Sequence, residues 1–243
     1  MTTTITQSEV VIRTQPLRRQ HPEPLKPSGA LDQFNHVEVT PVIGREYPHV
    51  NVVDDLLNAG NSDELLRDLA ITNYTSLRLT ELPVTGGDTL WASGYELYDR
   101  FSDPYRRFLE GLTATYKGEG FKRAASANPE RFQIYEKPRG NPANIGGGLT
   151  AVHPVVRTNP VTGWKDLLDV LRKRIEENHD LQVRFKWTSK NDLAIWDNRS
   201  AFHSATNDFD HLGERVGHRT VGIGEKPYYD AQSVSRSEAL GLN

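Results

Sequence analysis

The stretch Asp192–Lys226, which reads DLAIWDNRSAFHSATNDFDHLGERVGHRTVGIGEK, is the strongest indication of the architecture. Its apolar run Leu193–Trp196 predicts a strand, and the Asp-Asn-Arg triplet that follows predicts a turn, because short Asn and Asp side chains tolerate turn geometry. The β-branched run Val216–Gly222 predicts another strand. Short strands dominate this half of the chain, which favours a β sandwich or jelly roll with helices packed outside.

Two arginines in this stretch indicate an anion-binding face. Arg215 and Arg219 lie four residues apart, and because side chains alternate along a strand, both point to the same side as Gly217. A guanidinium keeps its proton, so an inward-facing pair requires anionic partners, and its fork suits a carboxylate or a sulfonate. The alternative is that both arginines are solvated, or pair with acids such as Glu214 and Asp208, because surface arginines are the commonest kind.

The composition excludes several classes of protein. The 243 residues carry 29 Lys and Arg against 32 Asp and Glu, and the net charge of -3 is too balanced for an electrostatic binder of nucleic acid or of a membrane surface. The chain has no cysteine, which excludes disulfides, thiolate zinc sites, iron–sulfur clusters and cysteine nucleophiles. No apolar run approaches the roughly 20 residues of a membrane helix, and the N-terminus lacks the apolar core of a signal peptide. These features predict a cytoplasmic protein.

The chain divides into a tail and one domain. Residues 1–34 are rich in Thr, Gln and Pro without a usable period, which predicts a disordered N-terminal tail. Residues 35–243 hold the predicted strands and helices and form the domain. Within it, residues 117–149 contain three prolines, and three consecutive glycines precede the final residue, Leu149. An irregular segment this long in a compact domain is usually functional or disordered.

Three blocks in order resemble the taurine dioxygenase (TauD/TfdA) family of iron(II)- and 2-oxoglutarate-dependent dioxygenases. The stretch from Asp192 to Lys226 resembles the C-terminal motif of that family. ELPVTGGDTLW at Glu81–Trp91 is similar to its ELPxTGGDTLW block, and HPVVRTNPVTG at His153–Gly163 is similar to its HPVVRTHPxTG block. The resemblance covers about Thr75–Tyr229. It implies a mainly β fold with flanking helices, the double-stranded β-helix or jelly roll of that family.

The resemblance also implies an iron centre and two positions for anions. In that family, two histidines and one carboxylate hold iron(II), 2-oxoglutarate chelates the metal, and O2 takes the remaining position. His203 corresponds to the distal iron-binding histidine, although by pattern a lone histidine is more often a structural residue. Thr89 and Arg215 correspond to the residues that bind the distal carboxylate of 2-oxoglutarate, and Arg219 to the arginine that binds sulfonate in taurine-specific members. No residue is assigned a catalytic role, because the cofactor supplies the chemistry.

The first two iron ligands of that family come from an HxD motif, which is absent from its expected place. The motif should precede the strand that begins near Asn73, yet DLAIT at Asp68–Thr72 runs directly into that strand. The sequence therefore predicts internal deletions near 72/73 and, by the same comparison, near 165/166. Either the protein carries residues at these points that this sequence omits, or the chain truly lacks these segments, and the continuous sequence favours the second. His36-Val37-Glu38 has HxE form, but the family often has a similar sequence without ligands in that strand.

The leading hypothesis is an Fe(II)/2-oxoglutarate-dependent dioxygenase of the taurine or sulfonate type, with an incomplete jelly roll. It would hydroxylate a small anionic substrate, a sulfonate or a carboxylate, while 2-oxoglutarate is decarboxylated to succinate. Thr89, Arg215 and Arg219 are then expected to converge on one inward-facing cavity with His203 at its mouth. One alternative is a non-catalytic truncated member that retains part of the anion pocket, and another is an interaction domain without a small-molecule site. We expect no nucleic-acid or membrane partner, and the sequence leaves open whether the protein forms a homo-oligomer.

Overall fold

The structure, a computed structural model, describes residues 10–12, 25–72, 75–130, 133–134, 136–138, 142, 145–146, 148–167, 172–222, 224 and 226–242. Its strands are β1 (Val10–Ile12), β2 (Val37–Glu38), β3 (Arg45–Glu46), β4 (Thr75–Glu81), β5 (Thr89–Ser93), β6 (Leu112–Lys117), β7 (Thr150–Pro154), β8 (Val156–Thr158), β9 (Lys165–Leu167), β10 (Gln182–Phe185), β11 (Leu193–Trp196), β12 (Ala201–Ala205) and β13 (Val216–Val221). Its α-helices are α1 (Ser62–Thr72), α2 (Gly94–Asp99), α3 (Asp103–Glu110), α4 (Glu119–Ala127), α5 (Arg172–Glu177) and α6 (Arg236–Leu240). A π-helical segment covers Val52–Leu57, and short 3-10 turns cover Ala30–Gln33 and His179–Leu181.

Two three-stranded antiparallel sheets form the frame of the candidate site. One has the strand order β10-β5-β12 and the other β11-β4-β13. In the first sheet, Trp91 pairs with both Val183 and His203, so these three side chains share one face. In the second sheet, Leu77 pairs with Arg219, so these two side chains also share a face. The two faces are the inner ones, because both contribute to one hydrophobic cluster.

This inner cluster holds the two sheets together. Four of its buried members lie in the two sheets, and Trp187 lies two residues beyond the end of β10. The buried members are Leu79, Trp91, Val183, Trp187 and Trp196. The rings of Trp91 and Trp196 meet edge to face with their centroids 5.4 Å apart, the arrangement that aromatic quadrupoles favour. The prediction of a mainly β fold with flanking helices is confirmed, and the facing sheets correspond to part of a jelly roll.

A second hydrophobic cluster lies on the opposite face of β5 and joins the helices to the rest of the domain. It brings α2 and α3 together with the sheet β1-β6-β7 and the strand pair β8-β9. Its buried members are Ala92, Leu97, Tyr98, Leu109, Leu112, Ala114, Val155, Val156, Leu167, Ile175 and Leu181. Strand β5 is therefore covered on both faces, which fixes the position of the residues at its two ends.

The junction between β5 and α2 is tightly packed. Ser93 caps the helix, because its Oγ accepts a hydrogen bond of 3.2 Å from the Glu96 amide. The Gly94 amide donates to the Ser200 carbonyl over 2.8 Å. A Cβ on Gly94 would lie 3.0 Å from that carbonyl oxygen, so glycine permits this close approach. The contact anchors the turn that leads into β12, the strand that carries His203.

The described parts of residues 1–34 differ from the predicted disordered tail. Strand β1 pairs with β6, with Val10 opposite Ala114. Further along, the amides of Ser28, Gly29 and Ala30 all donate to the buried carboxylate of Asp68 in α1. Burial of that carboxylate raises its pKa, but these hydrogen bonds outweigh the burial and lower it. Residues 1–9 and 13–24 lie outside the described residues.

The predicted irregular segment at 117–149 is partly helical, because α4 occupies Glu119–Ala127. Residues 73–74, which adjoin the first predicted deletion, lie outside the described residues, and β4 begins directly after them at Thr75. The second predicted deletion, near 165/166, falls within β9 (Lys165–Leu167). Among the described residues, no helix has the length and apolar character needed to cross a bilayer.

Candidate functional site

Thr89 and Arg215 are in direct contact across the two sheets. Thr89 is the first residue of β5, and Arg215 immediately precedes β13. Arg215 Nη2 donates to Thr89 Oγ1 over 3.2 Å, and Arg215 Nε donates to the Gly87 carbonyl over 2.7 Å. The same Thr89 oxygen accepts a hydrogen bond of 3.0 Å from the indole nitrogen of Trp187. The structure thus brings together the two residues that the resemblance assigns to 2-oxoglutarate, an assignment that stays a prediction.

The turn at Gly86 and Gly87 allows this contact. Both residues have positive φ angles, 78° and 68°, in the region that favours glycine. A Cβ on Gly87 would lie 2.9 Å from Cδ of Arg215, so a side chain there would displace the guanidinium. Asp208 Oδ1 accepts a hydrogen bond of 2.9 Å from the Gly87 amide. Hydrogen bonds to Asp208, first from Thr206 and then from that amide, lower its pKa to about 2, so the carboxylate that holds the turn stays ionised at neutral pH.

The Arg215 guanidinium is half-buried and has no carboxylate partner within ion-pair distance among the described residues. Burial lowers its pKa, and the more distant Asp88 opposes that effect. The acids nearby serve another cation: Asp88 and Asp208 accept from Arg184 over 2.7 Å and 3.2 Å. The alternative of an ion pair between Arg215 and Asp208 is therefore wrong. A partly desolvated cation whose nearest carboxylates pair with another arginine is costly, and an anionic ligand would lower that cost.

Arg219 lies on the inner side of β13, as the alternation of side chains predicts, because it and Gly217 pair with inward-facing residues of β4. Its guanidinium carbon is 5.6 Å from the centroid of the Trp196 ring, within the range of a cation–π contact. Its Nη2 donates to Asn198 Oδ1 over 3.3 Å. Arg219 is exposed, so the alternative of a solvated arginine holds for the part of its side chain that faces water.

His203 lies on β12, an edge strand of its sheet. Its ring centroid is 5.0 Å from that of Trp196, so the same indole contacts both His203 and Arg219. Partial burial and, after it, the positive charge of Arg219 lower the pKa of His203. The imidazole is therefore neutral at neutral pH, the state in which histidine binds a metal or forms a hydrogen bond through its lone pair.

The described residues do not fit the iron centre that the resemblance implies. A facial site needs three ligands, and the described part of the chain holds no group of three or more His, Asp or Glu side chains that could bind a metal ion. The charged neighbour of His203 is a cation, Arg219, which repels a divalent metal. His36 Nε2 is 3.8 Å from Glu38 Oε1, but Arg45 forms an ion pair with that carboxylate. No chemical step through iron follows from this geometry.

A cleft of about 420 Å³ opens beside His203. It is lined by Tyr116, His153, Arg157, Asn198, Arg199, Ala201, Phe202, His203 and Pro227. Thr89, Arg215 and Arg219 do not line it. The convergence of these residues with His203 on one cavity therefore stays a prediction: Thr89 and Arg215 contact each other outside this cleft, and the Trp196 ring contacts both His203 and Arg219.

Three features of the site escaped sequence reasoning. Trp187 belongs to the inner hydrophobic cluster, but it also positions the Thr89 hydroxyl. Asn198 is more than a turn residue, because its side chain accepts from both Trp196 and Arg219. The third is a buried ion pair between Arg157 and Asp166. Asn198 lies two residues after Trp196, so the sequence itself indicates that their side chains can form a hydrogen bond. No local sequence pattern indicates the role of Trp187 or the Arg157–Asp166 ion pair.

Comparisons with known proteins agree with the resemblance of the three blocks. The family model for Taurine catabolism dioxygenase TauD, TfdA family, matches residues 34–221, more than half of the chain. The alpha-ketoglutarate-dependent dioxygenase oryG of Aspergillus oryzae is 35% identical over 333 residues, which cover 90% of this chain and 96% of that protein. An alpha-ketoglutarate-dependent sulfonate dioxygenase of Saccharomyces cerevisiae is 29% identical over 206 residues, which cover 76% of this chain and 47% of that protein. Alpha-ketoglutarate is another name for 2-oxoglutarate.

Some of the proteins that match are covered only in part by this chain. A crystal structure of a taurine dioxygenase from Burkholderia xenovorans matches with a TM-score of 0.48 and 25% identity, covering 65% of this chain and 56% of that chain. This chain thus spans about half of that protein and of the yeast relative. The alignment of 333 residues with the Aspergillus relative exceeds the 243 residues of this chain, so at least 90 of its positions lie opposite gaps.

Two findings together establish the family. The family model extends from residue 34 to residue 221, through all three sequence blocks. The Aspergillus relative is similar to the chain over nearly its whole length. The chain belongs to the TauD/TfdA family of 2-oxoglutarate-dependent dioxygenases, a family of oxidoreductases.

Proposed function

We propose that this protein binds 2-oxoglutarate together with a second small anion, a sulfonate or sulfate ester. These are the two organic ligands of a reaction that hydroxylates the second anion while 2-oxoglutarate is decarboxylated to succinate. Fe(II) and O2 are the other cofactors that the family implies. The observation that carries the proposal is the half-buried Arg215 guanidinium, which lies against Thr89 and has no carboxylate partner among the described residues.

The hydrogen bonds around Thr89 support a carboxylate at this position. A threonine hydroxyl has two lone pairs and one hydrogen. The lone pairs accept from Trp187 and Arg215, so the hydrogen remains for an acceptor outside these residues. Arg215 uses Nε and Nη2 in its hydrogen bonds to described residues, which leaves the donors of Nη1 for the same acceptor. A carboxylate has the two oxygens that these donors require.

Arg219 supports a second anion. The guanidinium lies on the inner face of β13 and over the Trp196 ring, and it has no ion pair among the described residues. A cation held on an aromatic face keeps its outer donors available to a ligand. The yeast relative is named a sulfonate dioxygenase, which supports a sulfonate as the class of ligand.

Calorimetric titration with 2-oxoglutarate in excess EDTA tests the proposal without iron. Arg215→Lys keeps the charge but loses the fork, so we expect its dissociation constant to rise about tenfold, the effect of losing roughly 1.4 kcal/mol. Arg100→Lys is the matched control, because Arg100 is an exposed arginine that pairs with Glu96 and Asp180 outside the site. Equal affinities in Arg215→Lys and the parent protein would overturn the assignment of Arg215.

One observation favours a second candidate function, that of a non-catalytic family member. The described residues hold no group of three metal-binding side chains, so 2-oxoglutarate could be bound without being turned over. Succinate release from 2-oxoglutarate in the presence of Fe(II) and O2 separates the two functions. Succinate formed in proportion to added iron supports the dioxygenase, whereas binding of 2-oxoglutarate without succinate supports the non-catalytic member.

A further inference from the structure

We propose that the cleft beside His203 is a second oxyanion-binding site, with Arg157 as its principal ligand-binding residue. The ligand class is a small carboxylate, sulfonate or sulfate. The site is distinct from the Thr89–Arg215 pair, since neither of those residues lines the cleft. The inference goes beyond the proposed function and does not depend on it.

Arg157 is a nearly buried cation with unused donors. Its side chain is 12% exposed, and its Nε donates to both oxygens of Asp166 over 2.9 Å and 3.2 Å. Its two Nη groups form no hydrogen bond to any described residue, although the side chain lines both the cleft and a smaller adjoining cavity. These donors are therefore open to the cavities that the side chain lines, where water or an anionic ligand can accept from them.

His153 supplies a second unpartnered group on the same wall. Its Nδ1 is buried and has no hydrogen-bond partner among the described residues. Burial, followed by the charges of Lys226 and Arg157, lowers the pKa of this imidazole. The positive potential that disfavours a proton on His153 favours an anion beside it. The unpartnered ring nitrogen and the unused guanidinium donors therefore indicate the same kind of ligand.

Positive side chains outnumber negative ones around the cleft. Arg199 is 13% exposed and forms a two-point ion pair with Asp197, with contacts of 2.8 Å and 3.0 Å. Three cations, Arg157, Arg199 and Lys226, line the cleft or the adjoining cavity, and two carboxylates face them. Burial also raises the pKa of Asp166 to about 7, against the effect of Arg157, so the counter-charge of Arg157 is incomplete near neutral pH. A singly or doubly charged oxyanion would balance this excess.

Sodium sulfate is the probe, with sodium chloride at equal ionic strength as the reference. NMR spectra of the full chain, with labelled arginine and histidine, report the Arg157 Nε–H and the His153 ring directly. Arg157→Lys keeps a cation beside Asp166 but loses the fork. Arg45→Lys is the matched control, because Arg45 also forms ion pairs with carboxylates but lies outside the cleft. Arg215→Lys separates this site from the Thr89–Arg215 pair.

We expect sulfate to shift the Arg157 and His153 signals saturably, and Arg157→Lys to weaken that binding about tenfold, which corresponds to roughly 1.4 kcal/mol. Arg45→Lys and Arg215→Lys should bind sulfate as the parent does. Three results would overturn the proposal: shifts no larger than those with chloride, shifts without saturation, or loss of binding in Arg215→Lys alone. If Arg157→Lys does not fold, the signals of the parent protein still decide, because absent or unsaturable shifts show that the donors face only water.

Discussion

Replacing Gly87 by alanine tests how the Thr89–Arg215 contact is built. At φ of 68°, alanine costs about 1–2 kcal/mol relative to glycine. The new Cβ would lie 2.9 Å from Cδ of Arg215 and 3.3 Å from its Nε, so the guanidinium has to move. Its hydrogen bonds to the Gly87 carbonyl and Thr89 are then lost, at about 1 kcal/mol each. We expect Gly87→Ala to lower the free energy of unfolding by about 3–4 kcal/mol in total.

Urea unfolding followed by far-UV circular dichroism measures this loss, and calorimetry measures the affinity for 2-oxoglutarate on the same samples. Gly60→Ala is the matched control, because Gly60 has no positive φ and a Cβ there would meet no atom within 4 Å. We expect that control to change the free energy of unfolding by less than about 0.5 kcal/mol. If the two variants unfold at the same urea concentration and bind 2-oxoglutarate equally, the close approach of Gly87 and Arg215 does not support the site.

Three further substitutions test other buried polar groups. Thr89→Val should lower the free energy of unfolding by about 1–3 kcal/mol because it leaves the Trp187 donor unpaired, and Thr89→Ser should restore most of it in urea unfolding. Asp68→Asn should cost about 2–3 kcal/mol, and hydrogen exchange should show the amides of Ser28–Ala30 losing protection, whereas unchanged exchange would contradict the docking. The raised pKa of Asp166 means that the folded state holds this proton better, so its contribution to stability should fall between about pH 4 and pH 7. Asp166→Asn should remove that slope relative to the parent, and parallel stability curves would refute it.

The shared face of Gly217 and Arg219 on β13 could be predicted from the sequence, because a strand has a side-chain period of two, whereas the pairing with β4 decides that this face is the inner one. That rule places Gly217 and Arg219 on one side wherever the strand pairs, and it needs no tertiary information. The partners of the arginines could not be predicted in the same way. Arg215 contacts Gly87, 128 residues away in the chain, and only the pairing of both sheets brings them together.

Two segments have more local structure among their described residues than the sequence pattern indicates. The segment 117–149 looked irregular because its prolines dominate the pattern, but all three of them follow α4. That helix ends at Ala127, just before Asn128-Pro129, where a proline disfavours helical geometry in the preceding residue. The tail looked unstructured because residues 25–34 carry no hydrophobic period. Within them, Ser28, Gly29 and Ala30 donate hydrogen bonds to Asp68, about 40 residues away, which hydrophobic periodicity does not reveal.

The central claim is that Arg215 binds the distal carboxylate of 2-oxoglutarate, and a comparison with pyruvate tests it most directly. Pyruvate keeps the 2-oxo acid group but lacks the distal carboxylate. Calorimetry in EDTA would give the ratio of the two affinities for the parent protein and for Arg215→Lys. We predict that the parent prefers 2-oxoglutarate at least about tenfold, and that the substitution reduces this preference severalfold while leaving pyruvate binding unchanged. The same preference in both proteins would contradict the claim.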